Sequence, residues 1–116
     1  MNNLDKREAM KFIINGKSFD TATSSQVAIS RGAVSPGDLS YSDYPGAEQV
    51  RFEDILFRTA KGNFFVHEHR TVKYPKGKPV VIDEAFERNP DEAMVWISNN
   101  NAAIVDSTGL ALPEDA

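Results

Sequence analysis

The sequence predicts an α+β fold, in which a mainly antiparallel sheet of about five strands carries two or three short helices on one face. Runs of β-branched and aromatic residues bounded by glycine and proline indicate the strands, and capping residues before two other segments indicate helices. The length of 116 residues suits one domain, because each domain needs a core of its own. We place that domain at 10–109, between a flexible N-terminal tail (1–9) and a C-terminal tail (110–116).

The first element is a predicted β-hairpin. Asn15-Gly16 lies between two apolar runs, and this dipeptide favours a type I′ turn, since both central residues of that turn need a positive φ. We therefore expect strands at about 10–14 and 17–20.

A short helix over 23–31 is predicted next. Thr23 and Gln26 have the spacing of a capping box, and Gly32 suits the position just after a helix end, where φ is positive. Residues 33–48 contain two Pro, two Gly, three Ser and two Asp, a composition that indicates a long surface loop.

Three more strands are predicted in the middle of the chain. They are expected at 50–59, 64–70 and 80–83, with turns between them. In the first of them the apolar side chains change parity between Phe52 and Ile55, so a bulge near Glu53-Asp54 is expected to return them to one apolar face.

The C-terminal third predicts helical structure. Asn89 is suited to an N-cap and Pro90 to the first helical position, so a helix is expected to begin there and to end within 98–101. A second short helix is expected at 102–107, stopped by Gly109.

The charge is divided unevenly along the chain. Residues 1–79 carry 12 basic and 9 acidic side chains, whereas 80–116 carry one basic and eight acidic ones, and the whole chain has a net charge of −4. Five of these acids are the predicted protein-binding residues Asp83, Glu84, Glu87, Asp91 and Glu92. A concentrated negative surface there would compete with DNA for a basic partner site, because duplex DNA presents about one negative charge per 1.7 Å. The alternative is an ordinary solvated face whose helix-start acids stabilise the helix dipole.

The loop around 39–45 is a second predicted contact surface. Tyr41 and Tyr44 stand among serines and aspartates there, and tyrosine gives a large contact area at low entropic cost. The alternative is that these tyrosines lie back on the core.

Composition and motifs argue against several function classes. The chain has no cysteine, which excludes disulfides and thiolate chemistry, and no run approaches the ~20 apolar residues of a membrane span. No nucleophile elbow or phosphate-binding glycine loop is present, so we expect no enzyme. His67 and His69 project from one face of a predicted strand and form an H-x-H pair that can hold zinc. Local spacing supplies no further ligand, so we expect them at the rim of the core, with no metal or cofactor.

Three blocks of the sequence resemble a known group of proteins. They are Lys11-Phe-Ile-Ile-Asn-Gly-Lys-Ser-Phe-Asp-Thr21, Leu56-Phe-Arg-Thr-Ala-Lys-Gly-Asn-Phe-Phe-Val-His67 and Asp91-Glu-Ala-Met-Val-Trp96. In this order they resemble a group of small proteins from phages and other mobile elements, and the small acidic proteins of such elements include anti-CRISPR inhibitors. The resemblance implies an inhibitor or accessory protein that acts on a host or competitor machine, and it implies no catalytic residue. The chain departs from the group in its longer loop 33–48 and at 67–70.

These observations predict a non-enzymatic inhibitor in the cytoplasm of a bacterial host. Its expected partner is a CRISPR–Cas effector or another nucleic-acid-handling protein complex, contacted through the acidic residues. The alternative is an accessory module that touches nucleic acid through the basic segment 70–78, and a third class is a metal-dependent hydrolase that uses the two histidines.

Overall fold

The fold is built mainly from β-strands. The computed structural model describes residues 8–35 and 43–110, so Tyr41 and nearly all of the two expected tails lie outside the described part. The elements are β1 (Lys11–Ile14), β2 (Lys17–Asp20), β3 (Ser25–Val34), β4 (Gln49–Arg58), β5 (Phe64–Lys73), β6 (Val80–Arg88), α1 (Pro90–Asn99) and β7 (Ala103–Ile104).

The strands form two sheets. β1 and β2 pair with each other, and the other five form an antiparallel sheet in the order β6-β5-β4-β3-β7. Only one α-helix is present among the described residues, so the predicted α+β fold with two or three helices is wrong, and the chain is mostly β. That helix is too short and too polar to span a bilayer.

The segment predicted as a helix at 23–31 is strand β3. The local polar groups close a single 3-10 turn at Thr21–Thr23, where the Asp20 carboxylate accepts from the Ala22 N–H, and no helix follows. The segment that follows is rich in β-branched residues and pairs with β4 from Ser25 to Val34, with one bulge between Gln26 and Ala28. Gly32, which was expected just after a helix end, lies inside β3 opposite Phe52. A side chain would not fit there, since a Cβ would come within 2.9 Å of the Phe52 ring.

Both faces of the five-stranded sheet are covered in part. We call them the helix face, where Leu56, Phe64 and Val66 pack against α1, and the hairpin face, where Ile55, Phe57 and Phe65 pack against Phe19 of β2. Because both faces have apolar partners, β4 needs no bulge, and its pairing with β5 runs without a register shift. The expected bulge near Glu53-Asp54 is therefore wrong, and the bulge lies in β3, between Gln26 and Ala28.

Two locally specified elements are confirmed. Asn15 and Gly16 have φ values of 51° and 76°, as the hairpin turn requires. Asn89 caps α1 with a complete capping box, in which its side chain accepts from the Glu92 N–H and the Glu92 carboxylate accepts from the Asn89 N–H.

Two elements in the C-terminal third differ from the prediction. The strand expected at 80–83 extends to Arg88 as β6, because all of it pairs with β5. The helix expected at 102–107 is wrong, since Ala103 and Ile104 add a short strand to β3.

Candidate binding groove and histidine cluster

A row of polar side chains crosses the helix face of the sheet. The antiparallel register places Ser30 opposite Asp54, Asp54 opposite Glu68, and Glu68 opposite Glu84. Directly opposite residues have Cβ atoms about 4.5–5.5 Å apart, so three carboxylates follow one another across β4, β5 and β6. We call Asp54, Glu68 and Glu84 the carboxylate row.

The carboxylate row interrupts an otherwise apolar face. On one side of it lies the cluster under α1, and on the other a cluster formed by Ala47, Val50 and Val72. Like charges directly opposite on a sheet are destabilising, and apolar side chains at these positions would join the two clusters into one. The fold itself therefore does not require the row.

Among the residues that the structure describes, Arg70 is the one cation in contact with this row. Its guanidinium donates a short hydrogen bond to Asp54 and lies 3.6 Å from the Glu68 carboxylate. It also lies over the Phe52 ring, 5.5 Å from the ring centroid. The Asp54 carboxylate is buried, so Arg70 supplies the charge that makes its burial tolerable.

The row forms the floor of a groove of about 590 Å³, which we call the acidic groove. Tyr44 and Asn100 stand in its walls, and the exposed Asp43 lies at its rim. The described residues that line the groove thus include four carboxylates and one guanidinium, that of Arg70, which is a formal excess of three negative charges. An excess of this kind favours a cationic ligand.

The pKa of Glu68 is raised above its ordinary value of 4.5. Burial is the largest cause and Arg70 opposes it; the nearby carboxylates of Asp54 and Glu84 raise the pKa further, and Arg88 lowers it by a smaller amount. Burial also raises the pKa of Tyr44. Glu68 is therefore a carboxyl group short of positive partners, which an incoming cation would supply.

The structure separates the five acids predicted from the sequence. Glu84 lies in the acidic groove, whereas Asp83 and Glu87 alternate with it onto the hairpin face, where Glu87 contacts Lys17 at 3.2 Å. Asp91 and Glu92 lie in the first turn of α1, as in the alternative interpretation in which these acids stabilise the helix dipole.

The predicted tyrosines and the basic segment 70–78 also lie only partly in the acidic groove. Tyr44 lines the acidic groove, and Tyr41 lies outside the described residues. Arg70, the first residue of the basic segment 70–78, is engaged by Asp54, while Lys73 lies 3.7 Å from Glu48. The sequence thus indicated three members of the groove, Tyr44, Arg70 and Glu84, but did not bring them together.

Asp54 and Glu68 were not identified as site residues from the sequence. The sequence pattern that could have indicated them is a charged residue two positions from an apolar one on the same strand, which places both on one face. Asp54 stands in this way before Leu56, and Glu68 after Val66. The side to which each residue points follows from strand alternation, but which residues lie opposite each other depends on a register that links distant segments.

A second polar cluster lies on the hairpin face. One oxygen of Asp83, Oδ1, lies 2.7 Å from His69 Nδ1 and 2.8 Å from His67 Nε2. His67 is fully buried, with its ring 5.0 Å from that of Phe12. Burial alone would raise the pKa of Asp83, but the hydrogen bonds with His69 and His67 hold it below its ordinary value. The three ligand atoms lie within 4.8 Å of one another, the closeness that a metal ion needs.

Comparison with protein-family models, with curated proteins and with solved structures gave no significant match.

Proposed function

We propose that this protein is a non-catalytic binding protein whose acidic groove takes an arginine or lysine side chain from a protein partner. The observation that carries the proposal is the carboxylate row, in which Asp54 has a full partner in Arg70, Glu68 has a partial one, and Glu84 at the exposed end has none among the described residues.

A cation in the groove gains more electrostatic stabilisation than it would on an open surface. Glu68 is half-buried, and the attraction between opposite charges grows as the local dielectric constant falls. The Tyr44 ring in the wall offers an aromatic contact to a guanidinium, of the kind that Phe52 makes with Arg70. Arginine is favoured over lysine because its planar fork binds carboxylates in a bidentate way.

The position of β6 favours an extended segment as the source of that side chain. β6 is the edge strand on its side of the sheet, within the part of the chain that the structure describes, and its Val80 and Val81 are exposed. A partner strand that paired with β6 would place a residue directly opposite Glu84 and would continue the carboxylate row by one position. An arginine there would meet Glu84 at close range.

The class of partner follows from charge complementarity and from the resemblance to mobile-element proteins. Surfaces that bind the phosphates of nucleic acids are rich in arginine and lysine, and an inhibitor that occupies them needs carboxylates at close spacing. We therefore propose a host nucleic-acid-handling complex as the partner and inhibition of that complex as the biological role. In this proposal the protein acts in the cytoplasm of the bacterial host.

The proposal is tested with a short arginine-rich peptide labelled with a fluorophore. Glu84→Gln removes one groove charge with little change in shape, and we expect the peptide to bind about tenfold more weakly, a loss of ~1.4 kcal/mol. The measurement is fluorescence anisotropy at low and at moderate salt, and the affinity of the unmutated protein should fall as salt rises.

Glu87→Gln is the matched control. It changes the net charge by the same amount on the same strand, but Glu87 lies on the hairpin face beside Lys17. Its affinity for the peptide should equal that of the unmutated protein. Equal losses in the two variants would mean that the peptide responds to net charge alone, and the groove would then have no role.

A further inference from the structure

We propose that His67, His69 and Asp83 form a binding site for a divalent transition metal, with zinc as the expected ion. This site lies on the hairpin face of the sheet and is independent of the acidic groove on the helix face.

The backbone brings the three ligands together. His67 and His69 are two residues apart on β5, so both imidazoles point to the hairpin face. The register places Asp83 of β6 directly opposite His69 and diagonal to His67, which is opposite Ala85. The third ligand that local sequence spacing did not supply therefore comes from the neighbouring strand.

Two of the three separations between the ligand atoms are somewhat shorter than zinc requires, and the third is at most 4.8 Å. Zinc bonds to imidazole nitrogen and carboxylate oxygen are about 2.0–2.2 Å long, so neighbouring ligand atoms in a tetrahedral site lie about 3.3 Å apart. The present separations from Asp83 Oδ1 are 2.7 Å to His69 and 2.8 Å to His67. Insertion of the ion therefore requires the Asp83 carboxylate to move away from both imidazole nitrogens, and Asp83 lies on β6, the edge strand on its side of the sheet among the described residues.

The surroundings suit a site with one open position. His67 is fully buried against Phe12, whereas His69 and Asp83 keep 30% and 18% of their side chains exposed. The protein therefore encloses the ion on one side and leaves the other side open to water. Two imidazoles and a carboxylate are ligands that zinc accepts, and with three protein ligands the fourth position is filled by water.

The test uses tag-free protein, because a histidine tag would itself bind metal. Titration with zinc chloride in a calorimeter should show one ion bound per chain. Asp83→Asn keeps a side chain that can hydrogen-bond to the histidines but removes the anionic ligand, and we expect the affinity for zinc to fall about 100-fold or more. His69→Gln should have the same effect, while His67 is left unchanged because it is fully buried.

Glu84→Gln is the matched control, since it removes a carboxylate from the next position of β6 on the opposite face. It should leave zinc binding unchanged. If Asp83→Asn binds zinc as tightly as the unmutated protein, or if the unmutated protein shows no saturable binding, the proposal is overturned.

The coordinating atoms give a second readout. Nitrogen-15 spectra of the imidazoles should show zinc-dependent shifts at Nε2 of His67 and at Nδ1 of His69, the two atoms that face Asp83. Shifts at the opposite ring nitrogens would contradict the geometry. Binding of the arginine-rich peptide should not change with zinc, so the two sites are judged separately.

Discussion

Glu68 is the residue at which the acidic groove costs the protein stability. An acid whose pKa in the folded state lies above its unfolded value binds protons more readily when folded. The free energy of unfolding therefore falls as the pH rises from about 4.5 through the folded pKa. At neutral pH the charged Glu68 is half-buried beside Asp54 and Glu84. Such a cost is tolerated where the charge has a use, as in a binding site.

We predict that Glu68→Gln stabilises the free protein at neutral pH by roughly 0.5 kcal/mol, because it removes a like charge from the carboxylate row. Arg70 keeps its hydrogen bond to Asp54 in this variant. Urea unfolding followed by tryptophan fluorescence measures the change. At acidic pH, where Glu68 is protonated in both states, the two proteins should be equally stable. A variant that is less stable at neutral pH would show that Glu68 is structurally required.

The same substitution has the opposite effect on ligand binding. Glu68→Gln should weaken binding of the arginine-rich peptide about as much as Glu84→Gln does, because both carboxylates face the incoming cation. A protein that is more stable and binds less tightly would separate the two roles of this residue.

Among the elements, α1 and the β1–β2 hairpin were predicted and β3 was not. Asn89-Pro90 and Asn15-Gly16 act on the backbone within a few residues, so their effect is visible in the sequence. The segment of β3 carries the local spacing of a helix start, but pairing with β4 across a long connection outweighs it. Local signals can be read from one sequence, whereas strand pairing depends on a partner elsewhere in the chain.

The N-cap of α1 gives a prediction at this scale. Asn89→Ala removes the side chain that accepts from the Glu92 N–H and should lower the free energy of unfolding by about 1 kcal/mol. Thermal or urea unfolding measures the loss. The affinity for the arginine-rich peptide should stay unchanged, because the acidic groove is reached from the other end of α1, at Asn100. A loss of peptide affinity in folded Asn89→Ala would connect the helix start to binding and would support the acids predicted from the sequence.

At the scale of the whole molecule, one five-stranded sheet separates two polar sites. The acidic groove lies on the helix face and the histidine cluster on the hairpin face, and adjacent residues of β6, Asp83 and Glu84, belong one to each. The uneven charge along the sequence drew attention to the acids of this strand. Because the strand was expected to end at residue 83, the sequence did not place Glu84 and Glu87 on opposite faces of the sheet.

The residues that complete each site come from strands that are distant in sequence. Asp54 and Glu68 join Glu84, and His67 and His69 join Asp83, only once β4, β5 and β6 are paired in register. A single sequence shows the chemistry of these residues, but it does not show which of them are neighbours.

The most direct test of the central claim is a chemical-shift map of the nitrogen-15-labelled protein titrated with the arginine-rich peptide. We predict that the largest shifts fall on the amides of Glu68 and Glu84 and on Tyr44, which line the acidic groove. The amide chemical shifts of Asp91 and Glu92, in the first turn of α1, should change little. If the largest shifts fall on that turn or are spread evenly over the surface, the acidic groove is not the binding site.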